Sequence, residues 1–488
     1  MSVDAPKLAA GQLSTVDCVA QSLAVGPVFS GGVLGGLLAF VLAPGAGPFV
    51  ILLTTVGVLG IGWTLSEFAK RYSGSGTVYE FIAHSLGKRA AVFSTGVYHL
   101  AAIALAGPGI AIIGGLWAKT FFNDHMGLDA PWWMWALIIS VLMYGANIMG
   151  VRISVKAQLT LIVLSIIPFL ILAVKVIADG GSNGNSLKSF NPGNVAEGGS
   201  VFKGLLFAIL MFIGFELAAA LGEETKDPKK SIPKAVVATI LIVGAFYLIT
   251  QYTLAIGSTD TATDFVPMAD LYLNRFFAVW IDLAILLDIL AVGIGFQLAA
   301  ARGLFTLSRD GLLPKPLARL NRRSLPANAS LLILVVTVIT TVIALTKYGT
   351  DLIDPAGPSA FFNTDVFNAF LIASRIGGFL ISVVYVLLCV GALKNFATKR
   401  PIDLVAAMIG LATVVLAIYS QFWKETAPVA SELWGRHLAL ILLAIAFIWA
   451  LASSKQSIDN VGQHTVHHTP QPGLQDGLHD GRQSAADV

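Results

Sequence analysis

Charge is what this chain has least of. Its 488 residues carry 31 Lys+Arg and 28 Asp+Glu, 12% in all, about half the ~25% usual in soluble proteins. A soluble globule of this size needs a charged skin that so few groups cannot make. Hydrophobic residues reach 56% and mean hydropathy is +0.78, which excludes disorder, collagen and coiled coil. The bilayer is the solvent that remains. Cysteine is nearly missing too. Cys18 and Cys389 lie far apart in apolar stretches and fit neither a disulfide framework nor a metal-ligand spacing. No Lys/Arg patch interleaves with aromatics and the net charge is only +3, so no nucleic-acid partner is expected. The chain lacks Gly-x-Ser-x-Gly, a phosphate-binding Gly-x4-Gly-Lys-Ser/Thr and His-Glu-x-x-His. An enzyme is therefore not expected, nor ATP-driven transport by this chain alone. Asp4 and Asp17 sit where a basic leader would begin, and no cleaved signal peptide is expected.

What is present is a series of apolar runs. They fall at 14–40, 49–69, 92–117, 132–150, 157–178, 201–221, 234–256, 277–302, 329–346, 366–393, 402–422 and 437–453. A membrane helix takes about 20 apolar residues, so the pattern predicts twelve spans, numbered here in chain order. Spans one and eight are long enough to require tilt or a break. With the N-terminus inside, 21 of the 31 basic residues fall in inner segments and eight in outer ones. That bias puts both termini in the cytoplasm of a protein of the cytoplasmic (inner) membrane, with lipids as its surroundings. Trp132, Trp133 and Trp135 fit an outer aromatic belt. Residues 1–12 read as a cytoplasmic N-terminus, 13–453 as the twelve-span domain and 454–488 as a disordered cytoplasmic tail. The tail's His464, His467, His468 and His479 leave metal or pH sensing as the sharper alternative.

Two spans carry sequence that breaks helices. Span one contains Val25-Gly26-Pro27-Val28-Phe29-Ser30-Gly31-Gly32; Pro27 lacks an N–H and the glycines loosen the rest. Span six contains Phe212-Ile213-Gly214-Phe215-Glu216, a glycine and a carboxylate inside an apolar run. Irregular backbone at membrane depth survives only where it is buried or lines a cavity. The two breaks are five spans apart, the spacing of two inverted five-helix repeats (spans 1–5 and 6–10, with 11–12 accessory). Broken helices expose amide donors for a carboxylate and carbonyl acceptors for an ammonium, which suits a zwitterion.

With these residues in view, the chain resembles the amino acid–polyamine–organocation (APC) transporter superfamily, most closely its amino acid permeases, over about residues 12–450. Gly214-Phe215-Glu216 leads through Glu223-Glu224-Thr225-Lys226-Asp227-Pro228 to Ile232-Pro233-Lys234-Ala235. Ser308-Arg309-Asp310-Gly311-Leu312-Leu313-Pro314 follows span eight, and Tyr72-Ser73-Gly74-Ser75-Gly76-Thr77 follows span two. The resemblance implies an all-helical membrane fold of twelve transmembrane helices, LeuT-like, working by alternating access around a midplane site. It implies that a substrate carboxylate meets span-one amides near Val28, Phe29, Ser30, Gly31 and Gly32. The ammonium would meet carbonyls of Phe212, Ile213 and Gly214. Apart from the resemblance, the Phe29 and Phe215 rings read either as gates over the substrate or as plain packing. Arginine-type members carry a Trp where this chain has Leu210, which disfavours arginine or agmatine. Members that couple to protons through a span-five lysine have it where Ser165 stands. Ser165 leaves H⁺ coupling, Na⁺ coupling, exchange and a structural role open. No cofactor and no metal are expected.

Ionisable groups deep in a span are functional candidates by default. They are Glu216, Asp282, Asp288 and Arg375. Glu216 either titrates or orients the break. Asp288 either receives an ammonium or a proton, or pairs with a neighbouring helix. Asp282 reads as a mouth residue, and Arg375 as half of an ion pair at an outer gate. Gln297 reads as helix-to-helix glue. The resulting reading is a secondary active amino acid permease for a small-molecule substrate. A polyamine or amine carrier of the same fold, or a transport-dead sensor, stands as the alternative.

Overall fold

The computed structural model is built almost wholly of helices. It describes residues 13–23, 27–73, 78–195, 200–222, 225–259, 262, 264–349, 365–422, 430–460 and 466–467. Ten helices among the described residues are long and apolar enough to cross a membrane. They are span two (Gly47–Ala69), three (Lys88–Met126), four (Trp132–Met149) and six (Val201–Ala219), then seven (Pro228–Gly257), eight (Arg275–Arg309) and nine (Ala327–Tyr348). Spans ten (Val366–Asn395), eleven (Pro401–Ser420) and twelve (Leu433–Ala452) complete the set. Two shorter apolar helices, Pro27–Phe40 and Ile162–Ala178, fall where spans one and five are expected. Helices answer the demand of a bilayer, because every backbone group is then paired within its own segment.

The helix ends follow local chemistry. Pro48, Pro228 and Pro401 sit in first turns, where a missing N–H costs nothing. Asn274 Oδ1 accepts from the N–H groups of Phe276 and Phe277 at the start of span eight. Span three does not run straight. Leu105–Gly109 forms a wider π-type turn around Pro108, the kind of local bulge that often marks functional sites.

Burial separates the centre from the rim. In span six 83% of the apolar window is buried, against 22% in span twelve and 33% in spans four, nine and eleven. Span six is therefore central, and the outer spans turn side chains such as Val141, Ile339 and Ile448 outward. Spans two and eleven touch backbone to backbone: a Cβ on Gly60 would lie 2.5 Å from Ala406 O and 2.8 Å from Gly410 N.

Part of the tail expected to be disordered has structure. Lys455–Asn460 is a helix, and Ser457 Oγ donates to Gly311 O at 3.0 Å. Val466 and His467 pair antiparallel with Ser73 and Tyr72. The edge of that short strand supplies backbone partners that no composition rule foresees. The rest of the tail, with His464, His468 and His479, lies outside the described residues, as do Val25, Gly26, Glu223 and Glu224.

Candidate functional site

The first helix of span one ends at Leu23 and its second helix starts at Pro27. Proline fits the first turn of a helix and cannot continue one. The first N–H groups of any helix lack an intrahelical partner and must find one elsewhere. Asp288 of span eight supplies it: Phe29 N–H donates to Asp288 Oδ2 at 2.6 Å. Val28 N–H donates to the same carboxylate. Asp288 is fully buried, and its Oδ1 accepts no hydrogen bond among the described residues.

Span six breaks beside it. The helix Val201–Phe212 stops, Ile213 turns extended, and Gly214 takes φ +113°. Only glycine adopts such a backbone without strain. The chain resumes as a tighter helix over Phe215–Leu221. Glu216 bridges the break. Its Oε2 accepts from Gly214 N–H at 2.9 Å and from the Tyr385 hydroxyl at 3.0 Å, and its Oε1 from the Tyr98 hydroxyl at 3.4 Å. One carboxylate thus ties span six to spans three and ten. Ser22 fastens the two interrupted helices together. Its hydroxyl donates to Phe215 O at 3.2 Å and accepts from Ala218 N–H at 3.0 Å. On the other side of the break Tyr247 of span seven donates to Met211 O at 2.6 Å and bonds with Ser30.

A small cavity of about 30 Å³ lies between these elements, room for roughly one water molecule. Phe29, Ser30 and Leu34 line it from span one, and Leu210 and Ile213 from span six. Leu105, Gly109 and Ile110 of span three, Val292 and Phe296 of span eight, and Phe370 and Ser374 of span ten close it. Spans one, three, six, eight and ten thus all contribute to its lining. The Phe29 ring meets Phe370 edge-on at 6.2 Å, and the buried Ser374 Oγ has no partner among the described residues. As it stands, this space is too small for an amino acid. A wider cavity, about 540 Å³, lies away from the breaks, between the Pro44–Pro48 connection, the loop around Ser189 and the end of span seven.

The expected site residues divide. Phe29, Ser30 and Ile213 reach the cavity. Gly31 and Gly32 do not. A Cβ on Gly31 would lie 3.1 Å from the Phe246 ring, and one on Gly32 would lie 3.2 Å from Ile285. They are packing glycines facing spans seven and eight, because each successive helical position rotates away from the cavity. The Val28 amide is taken by Asp288. The Gly214 carbonyl accepts Leu217 N–H at 2.9 Å. Phe212 packs on Tyr247, and Phe215 packs on Tyr385 at 5.7 Å; neither ring lines the cavity. Ser165 donates to Ala284 O at 3.0 Å, one helical turn from Asp288. Arg375 Nη1 donates to Gln421 Oε1 at 2.6 Å, and its guanidinium sits 5.1 Å from the Phe207 ring centre. At the end of span eight nearest Arg275, Asp282 Oδ2 bonds His125 Nε2 at 2.8 Å. Gln297 Oε1 accepts from Asn147 of span four at 3.2 Å, as helix glue should.

Ser22, Tyr98, Tyr247, Ser374 and Tyr385 belong to the site but to no motif. Their one signal is a hydroxyl inside an apolar span, where each needs a partner.

An amino acid permease model matches residues 14–457. The chain belongs to the amino acid permease family. An uncharacterized amino acid permease, YvbW of Bacillus subtilis, is 27% identical over 59% of this permease and 67% of its own length. The branched-chain amino acid permease BcaP of Lactococcus lactis is 27% identical over 67% of this chain and 74% of its own. The low-affinity putrescine importer PlaP of Escherichia coli is 24% identical over 56% and 62%. A crystal structure of a mutant manganese transporter of Eremococcus coleocola superposes with a TM-score of 0.57. It covers 94% of this chain and 99% of that one at 11% identity. That likeness speaks for the fold alone. This permease is a multi-pass membrane transporter of the APC superfamily.

Proposed function

We propose that this permease moves amino acids across the cytoplasmic membrane by alternating access and has no enzymatic activity. One observation carries the reading: two interrupted helices meet at a small cavity lined by mostly buried residues of five spans. The substrate lies against Phe29, Ser30 and Ile213, with its ammonium toward the carbonyls of Phe212 and Ile213. Ser374 offers the cavity a spare hydroxyl. Glu216 and Ser22 hold the broken segments, and rocking of one bundle against the rest opens the site to either face. Spans 1–5 and 6–10 form the moving repeats, spans 11 and 12 stand outside them, and both termini are cytoplasmic. Arg375 acts at the rim.

A second reading keeps the fold and changes the cargo. Asp288 already fills the span-one amides, and one relative is named a putrescine importer, which favours an amine without a carboxylate. Uptake into liposomes separates the two. Labelled uptake should be competed by neutral L-amino acids and not by putrescine, with H⁺ and Na⁺ gradients varied separately. Inhibition by diamines alone would overturn the amino acid reading. Binding without accumulation or exchange across a sealed bilayer would make the protein a sensor.

A further inference from the structure

The amides that open the second helix of span one are already held by a carboxylate of the protein. Asp288 Oδ2 lies 2.6 Å from Phe29 N, and Val28 N–H points to the same group. Such a bond joins a charge to the positive end of a helix. The other oxygen, Oδ1, is fully buried and without a hydrogen bond among the described residues, so the carboxylate is held from one side only.

Among the described residues, no cation faces it. Tyr247 of span seven is the titratable group that faces it. Phe29 and Ser30 come from span one, Ser165 and Phe169 from span five. Ile110 and Gly114 of span three and Met143 of span four pack along the same helix. None of these is basic.

We propose that Asp288 is a built-in stand-in for the substrate carboxylate, and that the two exchange at the Val28 and Phe29 amides, with a proton making up the charge. The proposal rests on the amino acid reading above. Two carboxylates a few ångströms apart in a low-dielectric site do not both stay ionised. When a substrate carboxylate takes the amides, Asp288 leaves them and gains a proton from the water on the side of entry; an O–H bond forms and no other bond changes. When the substrate departs on the far side, Asp288 loses that proton and returns to Phe29 N–H. One proton then travels with each zwitterion. Ser165, hydrogen-bonded to Ala284 O, needs no coupling role of its own.

The test is proton uptake on binding by the full-length protein in weakly buffered detergent. Alanine, serine and leucine are the probes, and putrescine is the control. About one proton should be taken up per amino acid bound near neutral pH, with affinity weakening up to about tenfold per pH unit above it. Asp288→Asn should lose the uptake and bind with a flat pH profile, while counterflow exchange in liposomes persists. Asp264→Asn, which removes a carboxylate away from the site, should keep the uptake, and Asp288→Ser is read in place of Asp288→Asn if the latter does not fold. Amino acid binding without proton uptake overturns the proposal, as does uptake retained without the Asp288 carboxylate or lost in Asp264→Asn. Putrescine binding with no amino acid binding, abolished in Asp288→Asn, overturns the amino acid reading itself.

Discussion

At the scale of single residues, the site is held by hydroxyls more than by charges. Ser22 satisfies both an acceptor and a donor of the broken span six. Ser22→Ala leaves both buried backbone groups unpaired, at about 1–3 kcal/mol for each group left unsatisfied. Thermal stability in detergent should drop and uptake should fall with it; an unchanged melting curve would deny Ser22 its role. Asp264 makes a second residue-level prediction. It caps the short helix Phe265–Tyr272 by accepting from Val266 N–H. Burial, helped by the Asp282 carboxylate, pushes it from 3.8 up to about 6. The folded state then holds a proton that the unfolded chain has released. Its contribution to stability is full below about pH 4 and lost as pH rises through about 6. Asp264→Asn keeps a cap and carries no charge. Its melting temperature should exceed the wild type at pH 7.5 and match it below pH 4; an equal gap at both would rule out the charge. Asp288 and Glu216 were legible in the sequence as charges in apolar runs. Their partners were not, because Phe29, Tyr98 and Tyr385 lie 118 to 259 residues away in the chain.

At the scale of elements, each break is written locally. Pro27 and Gly214 mark them because one residue lacks a donor and the other takes a left-handed backbone. The faces of the helices are less legible. Gly31 and Gly32 stand next to Ser30 in the sequence, yet they pack on spans seven and eight. Only the neighbours decide which side of a wholly apolar helix meets the cavity. Spans two and eleven show the same dependence. A valine at Gly60 would drive atoms into the backbone of Ala406 and Gly410, which no side-chain rotation relieves. Gly60→Val should cost about 1–3 kcal/mol or more, read as a lower midpoint in thermal unfolding. A neutral effect would mean that the two backbones do not meet this closely.

At the scale of the whole molecule, the bilayer fixes the plan. Buried helices surround one small cavity, and the outer helices show apolar side chains to lipid. The orientation drawn from basic residues is open to a direct test. Cys18 and Cys389 are buried, so Lys455→Cys at the foot of span twelve introduces an accessible thiol. An impermeant maleimide should label it in inside-out vesicles and spare it in right-side-out ones. The reverse pattern would invert the proposed topology. The contact of the tail with Gly311 and Tyr72–Ser73 also belongs to this scale, since it joins segments at opposite ends of the chain.

Low charge, twelve apolar runs and two helix-breaking segments were enough by themselves to determine a helical membrane protein and to place its breaks. Each of those properties is local: hydropathy is a sum over a window, and a proline or glycine acts on its own turn. Tertiary structure alone decided that Asp288 reaches the amides of span one, that Glu216 joins three spans, and that Ser30 faces the cavity while Gly31 does not. Those are contacts across helices, and a uniformly apolar helix carries no periodic signal of which way it turns.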